Sequence, residues 1–135
     1  MANNRVILYH KHPSSARTLF LRVNGTVCLF DGLPEKIEGI ENDRERGEIA
    51  RSIVSPAEQR LGLPDGSLEI EREFLAEVET ENEPIPTYLA RFTGIDPPVE
   101  AIAGREGEFI AITQARSLPA GELQLLQMAY SFIME

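Results

Sequence analysis

The sequence predicts one α/β domain, and three observations carry that prediction. Strand-like runs stand on both sides of a helical stretch within residues 42–61, and a second helical periodicity closes the chain. A length of 135 residues at 42% hydrophobic content suffices for one core and falls short of two ordinary domains.

The charge balance bounds the partners before any motif is considered. Asp and Glu number 22 against 13 Lys and Arg, a formal net charge of -9 with a sequence pI near 4.8. Such a field repels phosphate backbones and anionic head groups, so neither a nucleic-acid nor a membrane partner is expected. Residues 1–15 hold no apolar signal core and no run is long enough to span a bilayer, which points to the cytoplasm. Cys28 is the only cysteine, which excludes an intrachain disulfide and a thiolate metal cage. Between Val27 and Leu29 it reads as a buried, inert thiol in a strand.

Residues 5–9 (RVILY) form an apolar run suited to a buried strand, which ends at the turn-rich HKHPSS. His10 and His12 fall on one side if the strand continues, but no third ligand follows at a useful spacing, so they read as loop-edge histidines. In residues 18–30 (TLFLRVNGTVCLF), Asn24-Gly25 predicts a β-hairpin, because Asn-Gly takes the positive φ values of a type I′ turn. Arg22 on its first arm either faces a ligand site or is a solvated edge charge. Residues 68–78 (LEIEREFLAEV) alternate, with Leu68, Ile70, Phe74, Ala76 and Val78 on one side and glutamates on the other. That pattern predicts a half-buried strand with an acidic outer face.

A proline-bearing link leads to a strand at 87–93 (TYLARFT), 94–107 reads as loop, and 108–113 (EFIAIT) reads as a short strand. Ser117-Leu118-Pro119 signals a helix start. Leu123, Leu126, Ala129, Tyr130 and Ile133 keep helical spacing, predicting an amphipathic helix over 119–134.

The chemistry concentrates in residues 30–63. Ser55-Pro56-Ala57-Glu58 reads as an S-x-x-E capping box with proline at the first helical position. An interior proline costs about 3 kcal/mol, so the helix is expected to break or restart there. Ile49, Ile53, Ala57 and Leu61 keep fourfold spacing, so a kinked element still buries one stripe, and Gly62-Leu63-Pro64 ends it. Glu41, Glu45 and Glu48 stand at i, i+4 and i+7. On a helix they share one face, where a hard divalent cation of the Mg2+ type would relieve their repulsion. The alternative is a solvated acidic turn interleaved with Arg44 and Arg46, and Gly47 argues against the helix.

The order of hairpin, glycine-bearing loop, helix ending in Gly-Leu, three strands and final helix resembles the Nudix superfamily across nearly the whole chain. Phe30-Asp31-Gly32-Leu33 with Glu38 is similar to the family's opening G-x5-E, and LEIEREFLAEV, YLARFTG and EFIAITQARSLPAGELQLLQMAY are similar to its second half. The resemblance implies an α/β/α sandwich, with a mixed β-sheet between a central helix and the C-terminal helix. It also implies hydrolysis of nucleoside-diphosphate-type phosphoanhydrides with Mg2+ or Mn2+.

The helix motif R-E-U-x-E-E-x-G-U is where the chain departs. Anchored on Gly62-Leu63, its positions fall on Ser55-Pro56-Ala57-Glu58-Gln59-Arg60, the motif glutamates are replaced, and Glu58 stands one position out. Anchored on Gly32 with a slip of two residues, Arg44-Glu45-Arg46-Gly47-Glu48-Ile49 keeps R-E-x-x-E but loses the last glutamate and the Gly-Leu spacing. The candidate catalytic carboxylates are therefore Glu48 and Glu58, the candidate metal ligands Glu41, Glu45 and Glu48, and the candidate ligand contacts Arg22, Gly32 and Glu38. Phosphoanhydride hydrolysis needs a metal held by clustered carboxylates, and each displaced electrostatic contribution is worth a few kcal/mol. Arg60 in a metal position would repel the cation. Two functions follow: a hydrolase of weak or atypical activity with an eroded box, or a non-catalytic module that binds a small phosphoanhydride ligand or a protein. A homodimer is left open.

Overall fold

In the computed structural model, which describes residues 4–34, 37–42, 50–81 and 83–135, the chain is a mixed α/β domain built on one sheet. The strands among these residues are β1 (Arg5–Lys11), β2 (Thr18–Val23), β3 (Gly39–Asn42), β4 (Leu68–Glu79), β5 (Ile85–Phe92) and β6 (Gly107–Ile110). The helices are α1 (Ala50–Leu61), α2 (Val99–Ala103) and α3 (Ala120–Ile133), with a 3-10 turn at Ile112–Ser117. The sheet order is β3-β4-β5-β1-β2-β6. β1 and β5 pair in parallel and all other neighbours are antiparallel.

The central strands are covered on both faces, which explains why their sequences run apolar without a break. Along β1, Ile7 and Tyr9 enter the core shared with α3, whereas Val6 and Leu8 enter the core shared with α1. β5 repeats the division, with Leu89 toward α3 and Tyr88, Ala90 and Phe92 toward α1. α1 contributes Ile53, Ala57 and Leu61, and α2 adds Ile102 on the same side. α3 contributes Leu125, Leu126, Ala129 and Ile133. Leu125 and Leu126 are both 0% exposed, so together they stabilise the α3 side by about 3–6 kcal/mol.

β4 corrects the alternation expected of it. Leu68, Glu69 and Ile70 pair with Phe92, Arg91 and Ala90, but the ladder resumes only where Leu75 meets Tyr88. Residues 71–74 thus bulge opposite Leu89 alone, an excess of three residues. An odd excess reverses which face each later side chain takes. Leu68 and Ile70 consequently join the α1 core, and Phe74, Ala76 and Val78 join the α3 core. The row of one parity does not share a face.

Other expectations also change. α1 runs through Pro56, which is exposed inside the helix, so the expected break is not there. Ile53, Ala57 and Leu61, 6%, 1% and 2% exposed, bury one stripe, and that packing outweighs the lost backbone bond. β3 lies where a helical face was considered, α2 interrupts the expected loop at 94–107, and the last part of 108–113 turns into the 3-10 segment. Asn24 and Gly25 do carry positive φ values of 52° and 82°, and Val23 and Thr26 exchange backbone bonds of 2.9 and 3.1 Å across the turn. Only isolated bridges follow, at Thr26 and Leu29, because β2 pairs with β1 and β6 instead. No helix among the described residues is long and apolar enough to cross a membrane.

Candidate functional site

The end of α1 organises the surrounding clefts. Gly62, at φ +68°, closes the helix: its N–H donates to the Gln59 carbonyl at 3.1 Å and the Leu63 N–H donates to the Glu58 carbonyl at 2.8 Å. This pair of bonds is a Schellman cap, which needs the left-handed residue that glycine supplies. Glu58 is 3% exposed, and its Oε2 accepts the Leu68 N–H at 2.9 Å. Main chain and side chain of one residue thereby tie the end of α1 to the start of β4. The S-x-x-E reading is replaced by this contact, because Ser55 sits in mid-helix and Glu58 turns toward β4.

The other predicted residues are dispersed. Gly32, at φ +72°, donates to the Cys28 carbonyl at 2.9 Å and accepts from Arg5 Nε at 2.5 Å. A Cβ there would lie 3.4 Å from Thr26 Oγ1 and 3.5 Å from Glu122 Oε2. Arg22 faces Glu108, its register partner on β6, in an ion pair, and its Nη1 lies 3.5 Å from Ser117 Oγ. Glu41 stands on β3 opposite Glu77, and the Glu38 N–H donates to the Glu79 carbonyl at 2.6 Å. The Glu41 carboxylate is the main influence that pushes Glu79 above the ordinary carboxylate range, with Glu38 and Glu77 adding to it. Because Glu41 is on a strand, it does not belong to the helical face expected to carry Glu45 and Glu48. Those two residues lie outside the described residues.

No group of three or more His, Cys, Asp or Glu side chains among the described residues is arranged to hold a metal. The histidines have separate roles. His10 is buried with Nε2 3.0 Å from the Gly94 carbonyl, while His12 Nδ1 accepts from the Ser14 and Ser15 N–H groups at 3.2 and 3.3 Å. Cys28 is buried outside the named strands, and burial, followed by the nearby Glu122 carboxylate, pushes its thiol up and keeps it protonated.

Glu122 is the residue that sequence reasoning missed. It lies in the first turn of α3, is 4% exposed, and accepts from Thr26 Oγ1 at 2.7 Å and the Val27 N–H at 3.0 Å through Oε1. The available signal was an acid in the first turn of a helix, where the macrodipole favours it. It lines a cleft of about 470 Å³ with Leu33, Ile37 and Gly121.

Two further clefts flank the end of α1. One, of about 750 Å³, opens at the β4 bulge between Ser55, Glu58, Asp65, Glu71 and Arg72. Burial is the main influence raising the Glu71 carboxyl above its ordinary range, against the opposing pull of Arg91, and Tyr9 donates to it. The other, of about 410 Å³, lies between Asn24, Phe30, Arg60 and Arg105. Arg60 Cζ sits 4.3 Å from the Phe30 ring centroid, and Arg105 Nη1 donates to the Arg60 carbonyl at 3.2 Å. No protein-family model matches the chain, and no curated protein matches it either.

Proposed function

We propose that the chain is a Nudix-like α/β/α domain that binds a phosphate-bearing small molecule without rapid hydrolysis. The observation that carries this reading is the position of Glu58. It is the single acid on α1, and at the edge of the cleft of about 750 Å³ it is 3% exposed with its Oε2 held by the Leu68 N–H. A Mg2+ or Mn2+ ion would need carboxylates converging on the ligand's phosphates, and the described residues do not fit that requirement. The parallel pairing of β1 with β5, the helices on both sheet faces, the glycine loop at Gly32 and the Gly62-Leu63 helix end support the Nudix-like part of the reading.

The hydrolytic alternative depends on Glu45 and Glu48, which precede α1. Nucleoside di- and triphosphate derivatives should be screened with Mg2+ and Mn2+ for both turnover and thermal stabilisation. A ligand at about a hundred times its dissociation constant should add about 2.7 kcal/mol of stability, with no product formed. Metal-dependent release of phosphate or a nucleoside monophosphate, abolished by Glu48→Gln, would overturn the binding reading in favour of the enzyme.

A further inference from the structure

We infer that the cleft at the end of α1 is a metal-independent oxyanion site, in which Arg60 and Arg105 take the phosphate groups of the ligand. The inference rests on the binding function above and locates it. Acids outnumber bases 22 to 13 in the chain, yet Arg60 and Arg105, like Arg17, Arg72 and Arg116, are in none of the ion pairs among the described residues. The arginines that are paired are Arg22 and Arg91, with Glu108 and Glu69. Arg60 and Arg105 line one cleft of about 410 Å³, and among the described residues neither is ion-paired.

Each guanidinium is positioned by a contact that leaves donors available. Arg60 lies over the Phe30 ring, a cation–π contact that orients the plane without using its N–H groups. Arg105 uses Nη1 on the Arg60 carbonyl, at the electronegative end of α1. Its Nη2 passes so close to Gly62 that a Cβ there would lie 2.5 Å away. Glu106 also lines the cleft but is ion-paired with neither arginine, so two positive charges stand against one negative, and a doubly charged oxyanion between the guanidinium groups would turn their mutual repulsion into attraction. Guanidinium groups present paired donors that match phosphate oxygens. The cleft volume falls within the range of small-molecule sites, roughly 300–1,000 Å³. An arginine pair would supply at this point the positive charge that a metal supplies elsewhere, with no carboxylates required to hold it.

The test is calorimetric titration of the whole chain with pyrophosphate, with inorganic phosphate in parallel, in the presence of EDTA. Pyrophosphate should bind, more tightly than phosphate, and should weaken as salt is added. Arg60→Gln and Arg105→Gln should each weaken it at least about tenfold, while Arg116→Gln, on the 3-10 turn, leaves it unchanged. Arg105→Gln removes a bond to the helix end, so Arg60→Gln is the cleaner variant, because its guanidinium donates to none of the described residues. Melting curves of both variants separate lost binding from lost folding. Unchanged affinity in folded Arg60→Gln, or binding that appears only when Mg2+ replaces EDTA, would overturn this site while leaving the binding function in place. Failure of pyrophosphate and of nucleoside diphosphates to bind under either condition would overturn the binding function as well.

Discussion

Replacing Glu58 separates a structural role from a catalytic one. In Glu58→Ala the Leu68 N–H, 2.9 Å from Oε2 and buried where β4 begins, loses a charged acceptor. Hydrogen bonds to charged groups contribute about 1.5–3 kcal/mol, and a buried donor left unpaired costs about 1–3 kcal/mol, two views of one loss. We expect a destabilisation of about 2.5 kcal/mol. At about 2.1 cal/mol/K per residue, the 135-residue chain has an unfolding entropy near 0.28 kcal/mol/K, so Tm should fall by about 9 °C. Glu58→Gln keeps a neutral acceptor and should lose only about 1 kcal/mol, or about 3–4 °C. Scanning calorimetry at neutral pH reads both values, and Mg2+ titration of each folded variant reads any metal affinity. If Glu58→Ala melted within a degree of the parent yet lost metal binding, Glu58 would be a ligand and the clamp between α1 and β4 would be wrong.

Three other substitutions test the energetics. Pro56→Ala restores an N–H to the carbonyl four residues earlier in α1 and should stabilise by about 1–3 kcal/mol, visible as a higher denaturant midpoint at constant m-value. Thr87 is 0% exposed and its Oγ1 finds no partner among the described residues, so Thr87→Val, nearly isosteric, should gain about 1 kcal/mol in the same assay. Glu71 has its folded pKa raised, chiefly by burial, so the native state binds more protons than the unfolded one between the two pKa values. Its contribution to stability therefore falls as pH rises through that window. Glu71→Gln should raise Tm at neutral pH, with the gain vanishing in acid below the ordinary carboxylate pKa; a constant gain across the titration would refute the linkage.

What could be read from the sequence was local. The C-terminal helix announces itself because Leu126, Ala129 and Ile133 recur at the helical period, and Asn24-Gly25 because the pair is suited to positive φ. The β4 bulge was hidden because its evidence is the partner strand: nothing in LEIEREFLAEV shows that Leu89 faces four residues alone. Pro56 misled because propensity acts at one residue whereas the stripe of Ile53, Ala57 and Leu61 acts through the core. The candidate site suffered from the same limit. Glu58 matched a capping pattern, yet its partner Leu68 is ten residues away, and Glu122 meets Thr26 and Val27 from the far end of the chain.

The same turn of α1 then carries two roles that should be separable. Glu58 points inward to Leu68, and Arg60, two residues later, stacks on Phe30 at the cleft, so the pair shares no side-chain partner. Residues two apart on a helix do not face each other. The double variant Glu58→Gln/Arg60→Gln should therefore show the stability loss of the first substitution and the pyrophosphate loss of the second. The coupling in either readout should stay within about 0.5 kcal/mol. A larger coupling in affinity would mean that the Glu58 clamp sets the position of Arg60. The helix end would then act as one unit, and anion binding at the cleft would depend on how firmly α1 is held to β4.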